Sequence, residues 1–178
     1  MDLHLREISP EDKAIIAKLR VWDVSEANRH WYTCRPVAPV KDLHDYIDSM
    51  VERIERRVIR PFVLVSDERD ECLCGKITAF DFNPRNRSAE LGYYLPQMNR
   101  GMGFGRIMLR QFLHAMFEDA EWNLHKLYAT TASGNQVSIH LLNRFGFHLD
   151  GTIREHYWMG DEIQDQLHFS LLKREWLA

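Results

Sequence analysis

The chain has 178 residues, of which 45% are apolar and 28% charged, with 9 glycines and 6 prolines. This composition excludes a disordered chain, which would lack the apolar residues for a core, and a collagen, which would need glycine at every third position. The formal net charge of -3 argues against a protein dedicated to nucleic-acid phosphates, so we expect one globular domain over residues 1–178.

The first half of the chain predicts strands and helices in alternation. Helices are indicated by apolar residues at three- and four-residue steps, and strands by alternation or by short apolar runs. Ser9 followed by Pro10 predicts the start of the first helix, with Ser9 as its N-cap. The predicted elements are a strand at 3–8, a helix from 9 to about 20, a loop or broken helix at 21–40, an amphipathic helix at 40–59, and strands at 62–65, 72–82 and 89–95.

The second half continues this mixture and ends in two strands. A glycine-rich loop opens a long helix, and Gly146 is the expected stop of the helix that follows it. Gly160-Asp161 predicts the turn between the last two strands. The predicted elements are a helix from 104 to about 120, a strand at 127–131, a helix at 135–145, and strands at 147–159 and 164–173. Interspersed strands and helices predict a mixed α/β domain.

The most informative stretch is the glycine-rich loop of residues 100–105, with the sequence Arg-Gly-Met-Gly-Phe-Gly. It precedes the first turn of a helix, whose free N–H groups and partial positive charge favour a bulky anion such as a pyrophosphate. A loop that only makes a tight turn would have the same residues, so both interpretations stay open. A P-loop is excluded because Gly105 is followed by Arg106 rather than lysine, and a dinucleotide fingerprint because at least three strands precede the loop.

Several motifs together resemble the GNAT superfamily of N-acetyltransferases. Arg100-x-x-Gly103-x-Gly105 is similar to its acetyl-CoA pyrophosphate loop. The further motifs follow in the order typical of the RimJ/RimL branch, which acetylates ribosomal-protein N-termini: Ala89-Glu90-Leu91-Gly92-Tyr93, Asn135-x-x-Ser138, Gly146-Phe147, Gly151-x-x-Arg154, and Gly160 followed by Asp165. The resemblance implies an α/β fold, of mixed α+β type, with a splayed central sheet of about seven strands flanked by about four helices.

The same resemblance implies that acetyl-CoA is bound as the acetyl donor in the cleft between the fourth and fifth strands. Backbone amides of the loop would hold its pyrophosphate, amides at the end of the fourth strand would bind the pantetheine and acetyl carbonyl, and the last helix would form the other wall. The residues that it assigns to the cofactor are Tyr94, Leu95, Arg100, Gly101, Met102, Gly103, Phe104, Gly105, Arg106, Asn135 and Ser138.

Glu90 is the candidate for removing a proton from the acceptor amine. An α-amine with a pKa near 8 needs about 1.4 kcal/mol to become neutral at pH 7, whereas a lysine-like amine near 10.4 needs about 4.6 kcal/mol. Glu90 lies on the strand that leads to the loop and shares a face with Tyr94, so we expect it to act directly or through water. A structural ion pair with Arg85 or Arg87 is the alternative role.

Ser138 is the candidate for donating a hydrogen bond to the departing thiolate. The alternative is an ordinary helix serine bonded back to a carbonyl. Family members that resemble spermidine acetyltransferases place a tyrosine general acid one turn later, where this chain has Leu142. This departure favours the serine-bearing branch. Tyr157 on the penultimate strand matches a position on the acceptor side, with strand packing as its alternative role.

The predicted activity is transfer of the acetyl group to the N-terminal α-amine of a protein, by direct attack in a ternary complex. Trp31 and Tyr32 are candidate acceptor contacts in an aromatic segment that favours a flat or apolar acceptor. A small amine such as spermidine or an amino-bearing antibiotic is the second candidate, and a non-catalytic acyl-CoA sensor the third. A homodimer is a family-level expectation, with the last hairpin as its expected contact.

The remaining residues indicate no metal, membrane or nucleic-acid partner. Cys34, Cys72 and Cys74 lack the spacing of a zinc or redox site, and the 9 histidines lack a metal-ligand spacing. No stretch approaches the ~18 apolar residues of a membrane span, and the N-terminus does not resemble a signal peptide. We therefore expect a cytoplasmic protein, and we expect Asp165 to lie in a solvated hairpin turn.

Overall fold

The computed structural model describes residues 2–25, 42–67 and 72–176. Its seven strands form one sheet in the order β1-β2-β3-β4-β5-β7-β6. All neighbouring strands are antiparallel except β4 and β5, which are parallel. The strands are β1 (Leu3–Glu7), β2 (Ile59–Ser66), β3 (Cys72–Asn83), β4 (Ser88–Tyr94), β5 (Lys126–Ala132), β6 (His148–Met159) and β7 (Glu162–Leu172).

Five helices accompany the sheet in the part of the chain that the structure describes. They are α1 (Lys13–Ser25), α2 (Leu43–Glu55), α3 (Phe104–Glu118), α4 (Gln136–Arg144) and the short α5 (Lys173–Trp176). The mixed α/β architecture with seven strands is confirmed, and the number of helices is one more than expected because of α5.

Two cores lie on opposite faces of the sheet, and β2 shows why. Phe62 and Leu64 pack in the cluster that contains α3, whereas Val63 and Val65 pack against α1 and α2. A strand that is buried on both faces needs a continuous apolar run rather than alternation, which is what the sequence has here. Helices α3 and α4 therefore cover one face, and α1 and α2 cover the other at β2.

The first helix differs from its prediction at both ends. It begins at Lys13, and the Asp12 carboxylate accepts hydrogen bonds from the Ser9 backbone N–H and hydroxyl at 2.8 and 3.0 Å. Ser9 therefore closes the turn before the helix and is not its N-cap. The helix also continues to Ser25, so the first residues of the segment predicted as a loop or broken helix are helical.

The second helix is shorter than predicted. Helix α2 ends at Glu55, because Arg57 adopts a left-handed backbone with φ of 55° and turns the chain into β2. Ile59, the last residue of the predicted helix, is instead a buried residue of that strand. Strand β2 is correspondingly longer than the 62–65 run predicted for it.

The parallel pair β4 and β5 separates partway along its length. Their residues pair from Ser88 with Lys126 to Glu90 with Tyr128. Beyond this point β4 stays paired with β3 up to Tyr94, whereas β5 follows β7 to Ala132. The sheet therefore opens into a gap that begins at Glu90 and faces the N-terminus of α3, as the predicted splay requires.

Candidate active site

The glycine-rich loop forms an uncapped helix N-terminus. Gly101 and Gly103 have left-handed φ values of 75° and 81°, and a Cβ at either position would meet nothing within 4 Å. Gly103 is the N-cap of α3 and provides no side-chain hydrogen bond to the first turn. Because the first N–H groups of a helix have no partner within the helix, the open space beside these glycines suits an anion.

The loop is fixed to the strands behind it by two side chains. The Arg100 Nε donates a hydrogen bond to the Leu95 carbonyl oxygen at 2.9 Å, and Asn99 donates to the Cys74 carbonyl oxygen at 2.8 Å. Phe104 is only 6% exposed and belongs to the core, so its backbone N–H is the part of this residue that faces the loop. The predicted cofactor residues at the end of β4 and in the loop are thus brought together.

Asn135 lies on the opposite side of the gap as the N-cap of α4. Its side-chain oxygen accepts a hydrogen bond from the Ser138 backbone N–H at 3.2 Å. A contact from Asn135 to a cofactor would therefore come from its amide nitrogen or its backbone. The cap also fixes the backbone of Ser138, which is the residue predicted to face the leaving group.

The Ser138 side chain joins α4 to β4. Its hydroxyl lies 2.6 Å from the hydroxyl of Tyr93, an arrangement that differs from the backbone carbonyl partner considered above. Burial raises the pKa of Tyr93 to about 12, against a smaller lowering by the hydrogen bond with Ser138. The sequence analysis missed Tyr93. The available signal was its place on the apolar face of β4, where a buried phenol needs a polar partner.

Glu90 lies on the other face of β4, at the point where the gap begins. It is 6% exposed and accepts a hydrogen bond from the Thr130 hydroxyl of β5 at 2.9 Å. A buried carboxylate needs polar partners of this kind, because transfer of a charge from water is costly. A buried carboxylate therefore lies between β4 and β5, at the start of the gap that leads to the glycine-rich loop.

A groove of about 470 Å³ lies beside Glu90 on the same face of the sheet, at the end where β4 and β5 are still paired. Its single lining carboxylate among the described residues is Asp150, which accepts hydrogen bonds from Ser170 at 2.6 Å and Lys126 at 3.2 Å. These bonds, the Ser170 bond first, lower the pKa of Asp150. The groove is lined by Asn86, Ser88, His125, Lys126, Tyr128, Asp150, His168 and Phe169.

Tyr157 lies on this face as well, at the far end of a row of polar side chains. Its hydroxyl accepts a hydrogen bond from the amide nitrogen of Gln166, whose side-chain oxygen is 2.9 Å from the His168 ring. His168 pairs in register with Thr130, the partner of Glu90. Tyr157 is also packed against Ala132 and Met159, so the packing role foreseen for it is present too.

Two further expectations have different outcomes. Trp31 and Tyr32 lie outside the described residues, so their role in acceptor binding stays a prediction. Leu142, where the resemblance implied a tyrosine in spermidine acetyltransferases, is fully buried in the core cluster that contains α3. Its side chain therefore packs and takes no part in the open gap.

Asp165 does not lie in a solvated hairpin turn. Its carboxylate accepts a hydrogen bond at 2.8 Å from the backbone N–H of Glu155, which has a left-handed φ of 54° in a bulge of β6. Its own backbone bonds to Ser133, directly before the turn into α4. Asp165 therefore connects the bulge to the turn that precedes Asn135, because its side chain and backbone bond to different segments.

A metal ion, a membrane and a second copy of the chain are the other partners considered in the sequence analysis. Within residues 2–25, 42–67 and 72–176, no three His, Cys, Asp or Glu side chains are grouped so that they could hold a metal ion. No helix in these ranges is long and apolar enough to cross a membrane. Strands β6 and β7 expose apolar side chains, with Trp158 75% accessible, and the predicted homodimer contact at this hairpin stays a prediction.

Comparison with known proteins agrees with this geometry. Residues 2–148 match the family model of the acetyltransferase (GNAT) domain. A Bacillus subtilis protein named "Putative ribosomal N-acetyltransferase YdaF" is 33% identical over 107 residues, which cover 60% of this chain and 57% of that protein. The spermidine N(1)-acetyltransferase of Vibrio cholerae is 27% identical over 149 residues, 83% of this chain and 81% of that protein.

Solved structures show the same fold. The crystal structure of the Vibrio cholerae spermidine N-acetyltransferase in complex with CoA and spermine aligns with a TM-score of 0.80 and 24% identity. The alignment covers 99% of this chain and 98% of that one. The predicted fold class, a mixed α/β GNAT fold with a splayed sheet of seven strands, is therefore confirmed.

Proposed function

The chain belongs to the acetyltransferase (GNAT) domain family and is an acetyl-CoA-dependent N-acetyltransferase, and from this premise we propose that its acceptor is the N-terminal α-amine of a protein. The observation that carries the proposal is the charge of the groove beside Glu90. Its one lining carboxylate among the described residues, Asp150, is engaged by Lys126 and Ser170. A second carboxylate, Asp81, accepts a hydrogen bond at 2.6 Å from the Tyr128 hydroxyl of the groove, and Lys126 offsets part of this negative charge. A groove with both charge signs suits a peptide better than a polycation, which would need an excess of carboxylates over cations.

The proposed cofactor residues form the two walls of the gap. Backbone N–H groups of the predicted range from Arg100 to Arg106 would bind the pyrophosphate at the uncapped N-terminus of α3, except those of the two arginines, which already donate to the carbonyl oxygens of Gln97 and Gly103. The amides of Tyr94 and Leu95 would bind the pantetheine and acetyl carbonyl. Asn135 would contact the cofactor from the α4 wall. Bound acetyl-CoA supplies an activated thioester.

The proposed chemistry divides between Glu90 and Ser138. The ammonium form of the amine first loses a proton to water, and the neutral nitrogen forms a bond to the thioester carbonyl carbon. Glu90, directly or through a water, takes the second proton that this nitrogen loses as the amide forms. The bond between that carbon and sulfur breaks, and its electron pair goes to the sulfur. The Ser138 hydroxyl donates a hydrogen bond to the resulting thiolate. An α-amine needs only about 1.4 kcal/mol to be neutral at pH 7, so a single buried carboxylate suffices as its base.

The acceptor would lie on the face of the sheet that holds the polar row. Tyr157 at one end of the row and Glu90 at the other bracket the path of an entering amine. Trp31 and Tyr32 are proposed to contact the acceptor from the segment between α1 and α2. The RimJ/RimL branch is proposed from Ser138 combined with Leu142, and the name of the Bacillus subtilis relative supports it.

A small polyamine is the second candidate acceptor. It is favoured by the spermidine acetyltransferases among the relatives and by the structure of one with spermine. The mixed charge of the groove and the leucine at position 142 argue against it. A polyamine amine also has a pKa close to that of lysine and needs more help to lose its proton.

The experiment that tests the acceptor measures thiol release from acetyl-CoA. The acceptors are peptides with a free N-terminal Ser, Ala or Thr, the same peptides with a blocked N-terminus, spermidine and an aminoglycoside. We expect turnover with the free peptides and none with the blocked ones. Turnover with spermidine alone would replace the proposed acceptor by the second candidate.

A further inference from the structure

A hydrogen bond between β4 and α4 crosses the site at the level of the predicted leaving group. The hydroxyls of Tyr93 and Ser138 lie 2.6 Å apart, although the residues are 45 positions apart in the sequence. Tyr93 extends the apolar row of Ala89 and Leu91 on β4 and packs against the core below α3 and α4. The Tyr93–Ser138 bond is therefore a defined contact of buried or half-buried groups.

Each of the two hydroxyls has one proton, so the direction of the bond decides what Ser138 can do. If Ser138 donates to Tyr93, its proton is not available to another acceptor. If Tyr93 donates, the Ser138 proton is free to point into the gap. The serine backbone is already fixed by the Asn135 cap, so rotation of its hydroxyl is the remaining freedom.

The chemistry of the two hydroxyls favours the second arrangement. A phenol is a better donor than an aliphatic hydroxyl, because its oxygen is the more acidic of the two. Burial raises the pKa of Tyr93 to about 12, so the phenol keeps a proton to donate throughout the pH range in which an amine is acetylated. The 2.6 Å contact between the two hydroxyls is therefore best described with Tyr93 as the donor and Ser138 as the acceptor.

We propose that Tyr93 is a positioning residue, which donates its hydroxyl proton to the Ser138 oxygen and thereby directs the Ser138 proton to the departing thiolate. The proposal rests on the acetyl-CoA part of the proposed function and not on the identity of the acceptor. When the carbon–sulfur bond breaks, the electron pair goes to sulfur, and the two hydroxyls keep their protons. The thiolate leaves as such or takes a proton from water.

The pair acts by hydrogen bonding and not as a general acid. A thiol has an ordinary pKa near 8.5, well below that of Tyr93, so proton transfer from the phenol to the thiolate is unfavourable. Two donors in series nevertheless strengthen each other. The Tyr93 phenol of β4 thus strengthens the hydrogen bond that Ser138 of α4 donates. Residue 142 cannot take this role, because it is a buried leucine.

The test uses Tyr93→Phe, Ser138→Ala and the double variant in the full chain. Tyr46→Phe on α2 is the matched control, since it removes a phenol hydroxyl from the cluster on the opposite face of the sheet from Tyr93. The first readout is binding of CoA and of desulfo-CoA, which lacks the thiol, between about pH 7 and 10, together with the ultraviolet absorbance of the bound thiolate. It requires no acceptor and no turnover.

We expect wild-type protein and Tyr46→Phe to lower the pKa of the bound CoA thiol, and Ser138→Ala and Tyr93→Phe to lose most of this lowering. Desulfo-CoA should bind all variants equally. Equal lowering in Tyr93→Phe and wild type would overturn the proposal. Parallel weakening of desulfo-CoA in Tyr93→Phe would also overturn it, since the residue would then only shape the site.

The second readout is a double-mutant cycle on turnover. We expect kcat to fall roughly 10- to 100-fold in Ser138→Ala and about 3- to 10-fold in Tyr93→Phe, with the KM for acetyl-CoA unchanged. Tyr93→Phe should add nothing in the Ser138→Ala background. Multiplying losses would contradict a role through Ser138. Failure of every peptide acceptor would refute the proposed acceptor alone, because the thiolate measurement does not depend on it.

Discussion

The two faces of strand β4 present opposite chemistry within five residues. On one face, Ala89 and Leu91 are buried in the core and Tyr93 reaches the Ser138 hydroxyl. On the other face, Glu90 accepts a hydrogen bond from Thr130, and the Tyr94 ring lies 6.0 Å from Trp22 of α1. One strand thus offers a donor on one side and a proton acceptor on the other.

The backbone of a strand can keep a hydrogen-bond donor apart from a carboxylate. Successive side chains of a strand point to opposite faces, so the backbone of β4 separates the phenol of Tyr93 from the carboxylate of Glu90. If both groups shared a face, the carboxylate would compete with Ser138 for the phenol proton. The gap that opens after Glu90 is where the thioester is proposed to lie, between the two faces.

The largest effect is expected from blocking the glycine-rich loop, because the acetyl-CoA proposed to bind there is needed for the roles of both Glu90 and Ser138. Gly103→Val places a branched side chain in the open space at the N-terminus of α3, where the pyrophosphate is proposed to bind. Each lost hydrogen bond to a charged group costs about 1.5–3 kcal/mol, so we expect acetyl-CoA affinity to fall roughly 100-fold or more. Calorimetric titration with acetyl-CoA measures this change.

Gly160→Val is the matched control for that prediction. Gly160 in the turn between β6 and β7 also has a left-handed φ, 68°, and open space around its Cβ position. Both variants therefore suffer a similar backbone strain, but only one of them blocks the loop. Equal losses of affinity in the two variants would assign the effect to strain and remove the loop from the binding site.

The loop and the order of elements were readable from the sequence, because they depend on local patterns. Apolar spacing predicted α3, and glycines at fixed positions predicted the uncapped N-terminus. The ends of α1 and α2 were not readable. Ser9 and Asp12 are both capping residues, and the apolar row of the second helix continues to Val58 although Arg57 turns the chain into a strand. Tertiary packing decides such cases.

The contacts that join distant segments could not be predicted from local patterns. The Tyr93–Ser138 bond depends on how α4 packs over β4, and the Asp165 bonds depend on a bulge in β6. Acidic residues near a glycine turn usually face water, and the prediction for Asp165 was wrong because it relied on this general tendency. The groove beside Glu90 arises from side chains on four strands and has no sequence signature of its own.

Glu90→Gln tests the proton-accepting face directly. The variant keeps the shape and the Thr130 contact but removes the charge. We expect kcat/KM to fall about 100-fold for a lysine-like amine and about 10-fold for an α-amine, because the second loses its proton more easily. Raising the pH toward the pKa of the amine should restore part of the rate.

The control for this charge change is Glu118→Gln, which alters an exposed glutamate at the end of α3. It removes the same formal charge far from the gap and should leave kcat/KM unchanged. Equal losses for the two classes of amine in Glu90→Gln would contradict its role as a base. Such a result would leave Glu90 as a structural residue held by Thr130.

The free energy of unfolding at alkaline pH tests the burial of the Tyr93 phenol. The folded chain holds the Tyr93 proton more tightly than the unfolded chain, since burial raises its pKa from 10.0 to about 12. This contribution is complete below the unfolded pKa and is lost as the pH rises through the folded value. We therefore expect the stability of wild type to fall more than that of Tyr93→Phe over this range, as measured by urea unfolding. Parallel curves would show that the phenol is not buried.

The smallest effect is expected at the far end of the acceptor face. Tyr157→Phe removes the hydroxyl that accepts a hydrogen bond from Gln166, and with it the first member of the polar row that leads through His168 toward Thr130 and Glu90. The ring keeps its packing against Met159. We expect the KM for the acceptor to rise about 2- to 5-fold, the effect of one neutral hydrogen bond.

The same variant decides to which face Tyr157 belongs. A residue of the acceptor face should leave the KM for acetyl-CoA and the pKa of the bound CoA thiol unchanged, because the backbone of the sheet separates it from Ser138. Trp158→Phe is the control, since its exposed ring points away from Tyr157 on the same strand. If Tyr157→Phe changes the KM for acetyl-CoA and leaves the KM for the acceptor unchanged, Tyr157 does not belong to the acceptor face. The two faces of the sheet would then not have separate roles at β6.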